Sequence, residues 1–162
     1  MNADFSLETG SSHHICEDYG RANNSVPGYP FVIICDGCSD PRSPDVDFGA
    51  RILAKTVEDF ILQIHKRLLG VDLSDLLIQP DYALDIKLAI AQASAYAICL
   101  GLHPQSLDCT LMVARIISIE QLKVVQVDCW GDGSIIAIRK NGIIEAYEIT
   151  YPSGCPFYPK YY

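Results

Sequence analysis

Apolar periodicity changes once along this chain, and that change limits the folds open to it. Phe48, Ile52, Leu53, Val57, Phe60, Ile61, Ile64 and Leu68 recur at helical spacing, and an alanine-rich helical pattern runs from Ala83 to Leu100. Past "GLHPQS" (101–106) the pattern becomes strand-like. "CTLMVARII" (109–117), "LKVVQVDCW" (122–130), "SIIAIRK" (134–140) and "IIEAYEIT" (143–150) are short, β-branched and separated by brief turns. Two helices followed by a meander cannot supply alternating βαβ units, so the expected layout is α+β, with helices packed on antiparallel sheet.

Local signals place the element ends. Asp45 or Asp47 is expected to cap the first helix and Gly70 to stop it, while Asp81 sits near the start of the second. Ala89, Ala91, Ala93, Ala95 and Ala97 suit a close approach to a neighbouring helix. Asn141-Gly142 predicts a two-residue type I′ hairpin turn. Near the N-terminus, residues 1–15 read as a short strand or extended arm, and "NNSVPGYP" (23–30) as a loop between strands. "FVIIC" (31–35) reads as a strand buried on both faces.

With 162 residues the chain makes one domain, residues 1–162, with 1–11 as an arm and 151–162 as a loop. Its formal charge of -8 argues against a nucleic-acid partner, which a basic face would serve. No apolar run reaches the roughly 20 residues that cross a bilayer, so no membrane partner is expected and the expected location is cytoplasmic. There the seven cysteines are expected to be free, mostly buried thiols.

Three acidic places could carry chemistry: Glu17-Asp18 in "CEDYG", Asp36-Gly37 in "FVIICDGCSD", and Asp132 in "CWGDGS". Each taken alone reads first as a solvated turn. Taken together they are oxygen ligands on strand ends, the donor set that a hard divalent cation prefers. Gly37 would let its backbone approach such an ion closely. Cys35, Cys38, Cys16 and His13 or His14 compose a competing zinc set, although Cys35 lies on the apolar strand, where a small hydrophobic thiol is the default.

In order along the chain, "CEDYG", "FVIICDGCSD", the helix opening "VDFGARILAKT", "LDCTLMVARI" and "KVVQVDCWGDGSIIAIRKNGIIEAY" resemble the metal-dependent type 2C protein serine/threonine phosphatases, the PPM family, particularly its bacterial members. The resemblance spans roughly residues 12–150. It implies an antiparallel β-sandwich flanked by helices, in αββα layers, with two Mn2+ or Mg2+ ions. These activate a water that attacks phosphoserine or phosphothreonine of a phosphoprotein substrate. By position the metal residues are Asp36, the Gly37 carbonyl, Glu17, its neighbour Asp18, and Asp132 for a looser additional ion.

The sequence departs from the family in three places. Cys38-Ser39 stands where many members carry His, and His13, with His14 adjacent, stands where many carry a phosphate-gripping Arg. Either histidine is a candidate phosphate contact. No Asp follows Asp132, so the family's final metal-binding aspartates have no counterpart. The expectation is therefore a fold incomplete at its C-terminus, with one cation or none retained and self-association through exposed sheet edge. The alternatives are an inactive phosphatase-like binding module and the Cys/His zinc protein.

Overall fold

The computed structural model describes residues 2–9, 11, 15–25, 29–38, 45–68, 82–119, 122–152, 154 and 156–161. His13, His14, Gly70 and Asp81 lie outside these residues. The fold is mixed α+β. Strands β1 (Tyr19–Asn23), β2 (Phe31–Cys35), β3 (Leu111–Ile119) and β4 (Leu122–Trp130) form one antiparallel sheet in the order β1-β2-β3-β4. Helices α1 (Val46–Leu68) and α2 (Tyr82–Cys99) lie between β2 and β3 in sequence. Strands β5 (Gly133–Ile138) and β6 (Ile144–Ile149) pair only with each other among the described residues.

Helical periodicity decides what is buried. Ala50, Leu53, Ala54, Val57 and Ile61 of α1, and Ile86, Ala89, Ile90, Ala93 and Ala97 of α2, form one buried cluster. Both sets follow the i, i+3, i+4, i+7, i+11 stripe of an α-helix. Ala91 and Ala95 of α2 are exposed, so only the alanines four apart pack inward. Phe31, Ile33 and Cys35 of β2, with Leu111 and Val113 of β3, meet this cluster from the sheet. They share one sheet face, since Phe31 pairs with Arg115 and Ile33 with Val113.

Two charged contacts tie this face together. Glu58, its side chain 4% exposed, lies 2.7 Å from Arg21 of β1 and 3.2 Å from Lys55 of its own helix. Arg115 pairs with Asp128 across β3 and β4 at 3.0 Å, and Gln126 donates to the same carboxylate. A charge this far from water persists only when partnered in this way.

Strand β2 is not buried on both faces as its apolar run predicts. Ile34 is 36% exposed, because helices cover only one side of the sheet. The far side carries Val32, Ile34, Met112, Ala114, Val125 and Val127, by register and alternation. The N-terminal arm reaches part of it: a Cβ on Gly20 would lie against the Phe5 ring, and Ala3 exchanges two hydrogen bonds with the Asn24 side chain. No strand forms among the described residues of 1–15.

The turn joining β5 to β6 also differs from expectation. Its closing bond runs from Gly142 N–H to Arg139 C=O, and Arg139 N–H donates to Ile143 C=O. Gly142 takes up the left-handed conformation of a bulge (φ 81°), and the bond pattern gives a longer loop than a two-residue I′ turn. Among the described residues, no helix is long and apolar enough to cross a membrane.

Thiol chemistry follows from this packing. Cys35 and Cys109 are fully buried, and burial pushes Cys35 well above the ordinary thiol range and Cys109 up to about 12. Cys99 is exposed. Mass-spectrometric mapping of alkylation at neutral pH should find Cys99 modified promptly, and Cys35 and Cys109 only after denaturant is added.

Candidate metal centre at the end of the sheet

Register brings the acidic residues together. Tyr19 pairs with Cys35, so one further step along the same ladder sets Asp18 across from Asp36, and the next sets Glu17 across from Gly37. The sequence separates these residues by a loop, and antiparallel pairing closes the gap.

Asp36 is held on the other side by Thr110, the residue that leads into β3. Its N–H donates to Thr110 Oγ1 at 3.1 Å, and its C=O accepts from Thr110 N–H at 2.8 Å. Pairing continues outward through a Gly37–Cys109 bridge and a 2.8 Å bond from Cys38 N–H to Asp108 C=O. Asp36 thus stands on backbone fixed from both sides, which restricts where its carboxyl can swing.

Gly37 has a steric reason that its sequence context does not reveal. A Cβ there would fall 2.6 Å from the Glu17 carbonyl oxygen and 3.1 Å from Glu17 Cβ. Only a residue without a side chain lets the Glu17-Asp18 segment lie against the Asp36-Gly37 turn. Asp132 arrives from the turn between β4 and β5. Gly131 before it packs on Thr110, and its C=O accepts from Tyr151 Oη at 3.3 Å. Thr110 therefore touches both acidic turns, and sequence reading gave it no role beyond a place in a strand.

The electrostatics record this convergence. The Asp36 carboxyl is pushed up to about 6. Partial loss of hydration is the largest cause, followed by a hydrogen bond with Asp18 and the negative charges of Asp18, Asp132 and Glu17. In this arrangement Asp36, when protonated, donates to Asp18. Of the two residues in "ED", it is Asp18 that meets the Asp36 carboxyl, while Glu17 contributes charge and a backbone contact.

The C-terminal segment borders the same place. Lys160 pairs with Asp108, Pro159 is buried, and the Tyr158 phenol is raised by burial, by a hydrogen bond with Cys38, and by the charges of Cys38, Asp132 and Asp108. A hollow of about 190 Å³ lies beside Asp132, walled by Thr150, Tyr151, Gly154 and Pro156. Sequence reading made residues 151–162 a plain loop and missed these anchors.

The donors suit a divalent cation in kind, being hard oxygens, and in charge, since their mutual repulsion is what a cation relieves. Among the described residues, however, no three His, Cys, Asp or Glu side chains are gathered as a formed metal site. Asp18 and Asp36 instead face each other directly, which contributes to the raised Asp36 carboxyl. As for the zinc set, Cys35 faces the core as a buried neutral thiol. No known protein family, curated protein or solved structure matches this chain.

Proposed function

We propose that the chain is a type 2C-like, metal-dependent protein phosphatase domain that hydrolyses phosphoserine or phosphothreonine, with an αββα architecture and a cytoplasmic location. The observation that carries this reading is the convergence of Asp18, Asp36, Asp132 and Glu17 at one end of the sheet, marked by the raised Asp36 carboxyl. Asp36 and Asp18 would hold the first Mn2+ or Mg2+, with Glu17 and the Gly37 carbonyl beside them and Asp132 on the outer side. When bound, such ions supply positive charge that makes a water nucleophilic at neutral pH and offsets the phosphoryl oxygens. The chain's own contribution is to fix the carboxylates through Thr110 and Asp108 and to exclude bulk water on the Tyr158 side. No protein nucleophile is needed.

The direct test is release of inorganic phosphate from a phosphothreonine peptide with Mn2+, using wild type and Asp36→Ala. Turnover that requires Mn2+ and falls at least a hundredfold in Asp36→Ala is expected. Mn2+-dependent turnover untouched by Asp36→Ala would refute the site.

A second reading, a phosphatase-like module that binds a phosphopeptide without turning it over, is favoured by one observation. The described carboxylates do not form a ready-made metal site. Saturable binding of the phosphothreonine peptide with no phosphate released at any Mn2+ concentration would select it.

A further inference from the structure

The stretch that follows β6 is fastened to the rest of the chain by side chains. Its own backbone bonds are local: Gly154 N–H donates to Tyr151 C=O at 2.8 Å, and Tyr161 N–H to Tyr158 C=O at 3.1 Å. Among the described residues, no backbone hydrogen bond joins 151–161 to the sheet or the helices.

Side chains do the holding instead. Tyr151 Oη donates to Gly131 C=O at 3.3 Å, beside Asp132. Tyr158 forms a hydrogen bond with Cys38, in the turn after Asp36. Lys160 pairs with Asp108, whose side chain is only 9% exposed. Pro159 between these two anchors is buried, and the Phe157 and Tyr161 rings lie 5.2 Å apart, so the segment keeps a compact shape of its own. The anchor points are not scattered. Cys38 and Asp108 form an outer rung of the ladder that carries Asp36, since Cys38 N–H donates to Asp108 C=O. One segment therefore grips both acidic turns and closes the cluster on the Cys38–Asp132 side. Asp36 keeps an exposed face, so the opposite side stays open.

We propose that residues 151–161 are a detachable clasp on the acidic cluster, docked in this structure and released as a unit to open the Cys38–Asp132 flank. As regulation of that site the clasp rests on the proposed metal-dependent function, but its release can be tested with neither metal nor substrate. Local opening is easiest where few backbone bonds have to break, and release of this segment unzips no strand. The β2–β3 ladder beside it has no such freedom. Resistance to release lies chiefly in the Lys160–Asp108 pair, because an acid this buried keeps its charge only while partnered. Lys160 is thus the latch.

Alkylation of Cys38 in the metal-free native protein, mapped by mass spectrometry, reads the opening. With the clasp docked, Cys38 is half-buried beside Tyr158 and should react more slowly than the exposed Cys99. Lys160→Glu should speed Cys38 about tenfold, leave Cys99 unchanged, and leave Cys35 and Cys109 protected. The added negative charge by itself favours the neutral thiol and slows reaction, so acceleration reports opening rather than activation. Lys160→Arg, which keeps the ion pair, should match wild type. An unchanged Cys38 rate in Lys160→Glu would overturn the proposal. So would Cys35 and Cys109 reacting along with Cys38, because the segment would then belong to the global fold and be no separate clasp. Opening in this assay, in a protein that releases no phosphate with Mn2+, would count against the phosphatase reading and still support the clasp.

Discussion

Gly49→Ala should destabilise the fold severely, although it places a better helix former in the first turn of a helix. A Cβ at this position would lie 1.5 Å from the Ser106 carbonyl oxygen and 2.3 Å from its carbon, both backbone atoms that no rotamer change can move. Helix α1 and the 3-10 turn Pro104–Leu107 therefore touch backbone to backbone. The turn has little freedom to retreat. Its first N–H groups are taken by the His103 ring and carbonyl, Asp108 N–H donates back to Gln105 C=O at 2.9 Å, and Ser106 and Leu107 are buried. Alanine would gain about 1 kcal/mol in helix propensity and lose more than the usual 1–3 kcal/mol of overpacking, since two elements must separate. A net loss of about 4 kcal/mol is a large share of a domain's typical stability. Urea titration followed by circular dichroism measures it. A midpoint equal to or above that of wild type would show that the two elements do not meet this way. The damage would also reach the acidic cluster, because the turn leads into Asp108, whose C=O holds Cys38 N–H.

Asp36→Asn should move stability and cation response in opposite directions. In the fold this carboxyl titrates at about 6, against an ordinary value of 3.8. Between those two values the folded chain binds more protons than the unfolded chain, so stability falls as pH rises through that window. Above about pH 6 the whole penalty of an ionised Asp36 among Asp18, Asp132 and Glu17 is present. Asparagine keeps the shape without the charge. The metal-free variant should therefore gain stability at pH 7.5, on the order of 1 kcal/mol once solvent screening of this half-exposed group is allowed for, or a Tm higher by about 3 °C. At pH 4 the gain should vanish. Added Mn2+ should then raise the Tm of wild type and leave Asp36→Asn unchanged, since a ligand stabilises only the state that binds it. Thermal scans at the two pH values, with and without Mn2+, read all four conditions. A variant less stable than wild type at pH 7.5 without metal would mean that the carboxylates do not repel one another.

Both results bear on how far this structure could be read from its residues. The helices were legible because burial repeats every turn: Leu53, Val57 and Ile61 announce their face without help from the rest of the chain. The strands were legible from β-branched runs, and the membership of Asp36 and Asp132 in turns at strand ends from their glycines. The expected continuous meander breaks after β4, since β5 and β6 pair only with each other among the described residues. What stayed hidden depends on contacts between distant segments. No local pattern tells that Asp18 rather than Glu17 meets the Asp36 carboxyl, since this follows from the β1–β2 register. Nor does one tell that Gly37 and Gly49 are glycines because other backbones press on them. The apolar run "FVIIC" gives the strand but not the number of its covered faces, because an uncovered apolar side chain looks the same in sequence as a buried one. Thr110 carried no signal beyond its place in "DCT", yet it holds Asp36 through two hydrogen bonds and packs against Gly131.

The side of the sheet turned away from the helices has a consequence for handling as well as for biology. Ile34 and Val125 meet water there at 36% and 59% exposure, and the β5–β6 hairpin adds Ile136, Ile138 and Ile144, each above 60%. Such surfaces are sticky to one another, and strand edges with unpaired amides give them a way to register. Light scattering across a dilution series should show particle mass climbing with protein concentration, and Val125→Lys should flatten the climb. If the mass climbs and Val125→Lys flattens it, the open apolar face, rather than any dedicated interface, is what draws neighbours together.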